Sequence, residues 1–235
     1  MIKRTLISLL MLSCSQAFAA ELTAMETRWL TAGLPVITYA KQALRLPVDI
    51  TVQPRAQADD VPVALGYQDG RCKLVLSLRG NPQAEDILGS VADAQRALMI
   101  EAMFAHEIAH CWRYAQGAWH QTPSGFSQNS AQPARALQDT RREEGFADLV
   151  ALAWTQQRHP EHYADVAAWM RQVRAPSTAG VTSAAAAVAA DEVAGGSHGT
   201  MAWLQLAPTG AVFDSRLSLF DQAGSVWRQG LARGE

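Results

Sequence analysis

The chain has 235 residues, 49% of them hydrophobic and 18% charged, with 20 Lys and Arg against 22 Asp and Glu and a formal net charge of -2. A disordered chain would carry fewer apolar residues and more net charge, and a collagen-like chain would need far more than 16 Gly and 10 Pro. This is the composition of one globular domain with a sizeable core, and its near-neutral balance argues against nucleic acid as the partner.

In chain order, Lys3 and Arg4 precede a largely apolar run at residues 5–12 and the small-x-small sequence Ala17-Phe18-Ala19. This is the pattern of a secretory signal peptide cleaved after Ala19. The run is shorter than the ~20 apolar residues of a membrane helix, and no later segment approaches that length. The expected product is exported, either secreted or periplasmic, with no transmembrane segment and with residues 20–235 as its working domain. Met11-Leu12-Ser13 is a poor lipobox, which disfavours lipid anchoring at Cys14. Loss of the leader leaves Cys72 and Cys111, and an oxidising compartment favours a disulfide between them over two buried free thiols.

Residues 22–45 read as helix, with Leu22, Met25, Trp29 and Leu30 as apolar positions and Gly33-Leu34-Pro35 as a break before a second short helical stretch. Period-two alternation then marks residues 48–52, and two further strand-like runs at 63–67 and 72–78 flank the turn sequence Gln68-Asp69-Gly70. A small, mostly antiparallel sheet of about three or four strands is expected. Ser90 with Asp93 resembles a capping box ahead of a helix over 91–115. Thr140 with Glu143 resembles another, opening a helix that His159-Pro160 ends. Further helices are expected over 161–173 and 216–231. Residues 116–139 read as a long loop, and residues 175–197 form an Ala-, Ser- and Gly-rich stretch. The fold class is α+β, with a sheet-containing part at about 20–115 and a helical part at about 140–235.

Residues 106–110 read His-Glu-Ile-Ala-His in the middle of the first long helix. Positions i and i+4 share a helical face, so His106 and His110 can offer imidazole nitrogens to one metal. Glu107 is rotated by about 100 degrees from them. That suits a general base acting on water better than a ligand. Between Ile100 and Trp112, Glu101 and the motif are the only residues that are not apolar. The helix is therefore enclosed, and its polar groups must be paired or bound to metal. A pair of satisfied core histidines is the bland alternative.

Catalytic zinc usually takes three protein ligands and leaves a position for water. A third histidine six residues after the second, preceded by a glycine, is excluded by Arg113 and Gln116 at those places. The following helix instead offers Glu144 and Asp148 at i and i+4. Glu143 competes with Glu144, but it is explained by the capping box and has Ala147, not an acid, one turn on. Asp148 lies in the otherwise apolar run at 145–154 and requires a partner, which the non-ligating nitrogen of His106 or His110 would supply. The alternative is a solvent-facing stripe through Glu144, Asp148 and Thr155.

His106-Glu107-x-x-His110 with Glu144-x-x-x-Asp148 resembles the gluzincin branch of the zincin metallopeptidases, the thermolysin-like zinc proteases. The resemblance spans 106–148 only. It implies a zincin-like fold with a small sheet on the active-site helix, one zinc ion bound by His106, His110 and Glu144, Glu107 activating water, and Asp148 supporting a ligand. It also implies that a preceding strand, residues 72–78 above all, borders the cleft and pairs with an extended peptide. Enzymes of this kind place a further His or Tyr at the oxyanion, and His198 is the candidate here. Tyr114 and Tyr163 are weaker candidates, and His120, His159 and His162 are left out. Cys111 points off the metal face and is assigned to the bridge with Cys72.

The function expected is an exported zinc metallopeptidase acting on a peptide or protein substrate. Alternatives are a non-catalytic zinc-binding or interaction protein, and a zinc hydrolase of another amide or ester. Glu107 discriminates, because a structural zinc site closed by four ligands has no use for a base.

Overall fold

The computed structural model describes residues 21–58, 60–124, 126, 132–175 and 199–235. The expected leader with Cys14, and His198, lie outside the described residues, as does nearly all of the Ala-rich stretch.

Helix α1 (Ala24–Gln42) starts from a reciprocal cap, with the Thr23 hydroxyl accepting the Glu26 N–H at 3.2 Å and the Glu26 carboxylate accepting the Thr23 N–H at 2.7 Å. It runs as one helix through Pro35, where the sequence suggests a break. Packing of Trp29, Val36, Ile37 and Ala40 into the core on both sides of the proline holds it together.

Strands β1 (Val48–Pro54), β2 (Val63–Gln68) and β3 (Arg71–Arg79) form one sheet in the order β1-β3-β2. β2 and β3 are an antiparallel hairpin, and its two turn residues, Asp69 (φ 53) and Gly70 (φ 73), are both left-handed, as a two-residue primed turn requires. β1 pairs with β3 in parallel, so the sheet is mixed, not mostly antiparallel, and has three strands. Cys72, Leu74, Leu76 and Leu78 are fully buried along one face of β3, each contributing about 1.5–3 kcal/mol on burial for the leucines.

After the short helix α2 (Gln83–Asp86), α3 (Asp93–Ala115) crosses the molecule, in contact with α1, β2 and α4 (Gln132–Arg158). Neither expected capping box forms at these helices. α3 begins after Ala92 with no side-chain cap, and Ser90 accepts a hydrogen bond from Gln172. Thr140 lies two turns inside α4, its hydroxyl donating to the Ala136 carbonyl at 3.0 Å, so the segment expected to be loop is helical from Gln132. A 3-10 turn (Pro160–His162), α5 (Tyr163–Arg174), α6 (Met201–Gln205), a second 3-10 turn (Gly210–Val212) and α7 (Leu219–Ala232) complete the fold. Cys72 of β3 and Cys111 of α3 lie at disulfide distance, with Cα atoms 5.6 Å apart, fastening the sheet one residue beyond His110. No helix among the described residues is long and apolar enough to cross a membrane.

Candidate metal centre and its cleft

α3 and α4 pack so that the i and i+4 pairs face each other. His106 Nε2 lies 3.0 Å from His110 Nε2 and 3.3 Å from Glu144 Oε2, and His110 Nε2 lies 3.3 Å from Glu144 Oε1. All three residues are buried, and each offers a ligand atom within 4.8 Å of the others. Donors around a tetrahedral ion at 2.0–2.2 Å stand about 3.3–3.6 Å apart, so these separations match, or fall just inside, the edges of such a site.

Asp148 is wholly buried behind this cluster, which removes the reading of a solvent-facing stripe. Its Oδ1 lies 2.9 Å from His106 Nδ1. A carboxylate there fixes the tautomer with a proton on Nδ1 and leaves Nε2 free to ligate. Asp148 has two further partners that the sequence did not reveal. Arg174, at the end of α5, donates from Nε at 3.0 Å and from Nη2 at 2.8 Å, and the Thr200 hydroxyl donates to Oδ2. Nothing in the spacing or periodicity of α5 marks Arg174 as a site residue. Its neighbours Arg171 and Val173 read as an ordinary helix end.

Electrostatics favour a cation here. Glu107, Glu144 and Asp148 bring three carboxylates to the enclosure and Arg174 brings one guanidinium, an excess of two negative charges when all are ionised. Burial opposes a charge on His106, but its hydrogen bonds to Asp148 and Glu144, and their charges, outweigh it and push its pKa up to about 10. Without a metal, then, a proton on His106 takes part of the cation's place. Burial likewise raises the Glu144 carboxyl, yet the two histidines hold it well below the usual carboxylate range. The donor set of two imidazoles and a carboxylate, with an excess of two negative charges, could hold a metal cation.

Glu107 lines a cavity of about 510 Å³ together with His106, His110, Glu144 and Arg174. Burial raises its carboxyl pKa, partly offset by the two histidines. The lining also includes the apolar Ile87, Met103, Trp169, Met170 and Val173 and the aromatic Tyr114 and Trp119. The bordering strand is β2, through Val63, Ala64 and Leu65, and not residues 72–78. β3 is the central strand with both edges taken, whereas among the described residues β2 has one edge without a strand partner. Ser77 N–H donates to Pro62 C=O at 3.0 Å, so residues 62, 64 and 66 bond inward and the N–H and C=O groups of Val63 and Leu65 point to the open edge.

Glu143, set aside in favour of Glu144, has a different partner from the expected cap. It holds Arg113 through two hydrogen bonds of 2.9 and 2.6 Å and accepts the His120 N–H at 2.8 Å. Tyr163 is a packing residue whose hydroxyl donates to Ala207 C=O, and His159 is half-buried against Glu101. Comparison of the chain with protein-family models, curated proteins and solved structures returns no match.

Proposed function

We propose that the protein is an exported zinc metallopeptidase of gluzincin type, and the placement of Glu107 beside a three-donor cluster in an open cleft carries this reading. Among the described residues the cluster has three protein ligands, where a structural zinc would take four. A zinc ion held by His106, His110 and Glu144 would supply Lewis acidity, lowering the pKa of water and polarising a carbonyl. Glu107 then accepts the proton of the attacking water and passes it to the leaving amine nitrogen. Asp148 keeps the His106 ring in its ligating tautomer. Val63 and Leu65, with their outward backbone groups, align an extended peptide as an added strand. The free edge beside the cleft favours a peptide over a small amide or ester. Export agrees with the Cys72 and Cys111 pair, which persists in an oxidising compartment.

The test is zinc content together with cleavage of a diverse peptide library by the exported chain and by Glu107→Gln. The wild type is expected to hold one zinc and cleave, and the variant to hold zinc and not cleave. Equal zinc content with no cleavage by either would favour a binding protein.

A further inference from the structure

The two imidazoles of the cluster are held by different means. His106 has its hydrogen bond to Asp148. His110 Nδ1 is buried and has no hydrogen-bond partner among the described residues. Its ring instead meets Trp119 edge to face, with centroids 5.4 Å apart and planes at 75°. An imidazole rotates broadly about χ2, so a ring without a hydrogen bond needs a packing contact to keep Nε2 on target.

Trp119 is itself held by ring contacts. Tyr114 stacks on it with centroids 4.0 Å apart and His120 with centroids 4.9 Å apart, and Tyr67 of β2 stacks on Tyr114 at 5.0 Å. The loop carrying Trp119 is clamped at the two residues that follow it. Glu143 accepts the His120 N–H, and Arg113, bound to that same Glu143, donates to Gln121 C=O at 2.6 Å. Glu143 immediately precedes Glu144. One turn of α4 therefore presents a donor to the cluster and anchors the loop that presses on another donor.

We propose that Trp119 is the positioning residue for His110, held in place by the Arg113 and Glu143 clamp, and that it does by ring contact what Asp148 does for His106 by hydrogen bonding. The inference rests on the metal-centre reading of the site.

The test uses Trp119→Ala, Trp119→Leu and Trp119→Phe in the exported chain. Zinc affinity is measured against a chromophoric chelator, and ligand geometry by the visible absorption of the cobalt-substituted protein. Removing the aromatic edge is expected to weaken zinc binding about tenfold or more, in the range seen when a ligand's supporting group is lost. The cobalt bands should shift in the alanine and leucine variants and return towards wild type in the phenylalanine variant. A variant that melts earlier but binds zinc with unchanged affinity and an unchanged cobalt spectrum would show Trp119 to be packing only and overturn the proposal. Should the alanine variant not fold, leucine against phenylalanine gives the same comparison. A wild type that binds no zinc overturns the metal-centre reading and this inference together. A wild type that binds zinc without cleaving peptides bears on the proposed function alone.

Discussion

Asp148 Oδ1 lies 2.9 Å from His106 Nδ1, and the carboxylate that makes this contact is entirely buried. It also accepts from Arg174 on α5 and from Thr200 ahead of α6. One side chain thus orients a donor of the cluster and ties three separate parts of the helical half together. Asp148→Ala leaves the half-buried Arg174 without its main counterion and His106 without its tautomer-fixing acceptor. It is expected to lower zinc affinity by about 10–100-fold. The metal-free protein should also lose about 3–5 kcal/mol of stability. Chelator competition and denaturant melts read the two effects separately.

Arg174→Leu removes the guanidinium and leaves His106 as the main positive partner of the buried Asp148 and Glu144 carboxylates. The stability loss is expected to be larger in the metal-free protein than in the zinc-loaded one, because a divalent cation offsets part of the excess negative charge. Calorimetric melts with and without zinc check this. Equal losses in both forms would mean that Arg174 is independent of the cluster.

Gly145 follows Glu144 at the point where α4 meets α6. A Cβ there would stand 2.4 Å from the Trp203 ring, which is buried and has no room to retreat. Gly145→Ala is expected to cost about 1–3 kcal/mol by overpacking. It should also weaken zinc binding, since relief requires α4 to move and Glu144 moves with it. A melt and a zinc titration on the same sample measure both.

The acid sensitivity of the fold has a separate contributor, far from the cluster. The hydrogen bond from Arg79 holds the Glu26 carboxyl below its ordinary value against the opposing effect of burial, and Thr23 adds to the lowering. A carboxyl lowered in the folded state contributes stability that is present above its unfolded pKa, about 4.3 for a glutamate. That contribution is lost as pH falls through the lower folded value. Wild type should therefore exceed Glu26→Gln in stability at pH 7, and the difference should shrink below pH about 4. Urea melts of the two proteins at both pH values, with metal removed, provide the comparison.

The sequence carries the cluster and not its surroundings, for physical reasons. His106 with His110, and Glu144 with Asp148, are legible because a helix fixes what lies one turn away, and because the turns around the histidines and the turns after Glu144 are almost free of other charge. Arg174, Thr200 and Trp119 are not legible, because they arrive on elements whose placement depends on tertiary packing. The Thr140 and Glu143 pattern misleads because a threonine hydroxyl satisfies a carbonyl four residues back as readily as it caps a helix. The hairpin of β2 and β3 is written in Asp69-Gly70. The parallel partner of β3 lies beyond β2 in the chain, so no local signal shows that the intervening strand sits on the far side.

The central claim is that Glu107 works as a base beside a bound zinc ion. Its most direct measurement is hydrolysis of a mixed peptide library by the zinc-loaded protein, beside Glu107→Gln at matched zinc content. The account predicts cleavage by the wild type and a loss of at least a hundredfold in the variant, with zinc retained, in line with removal of a general base. Cleavage by the variant at the wild-type rate would contradict it.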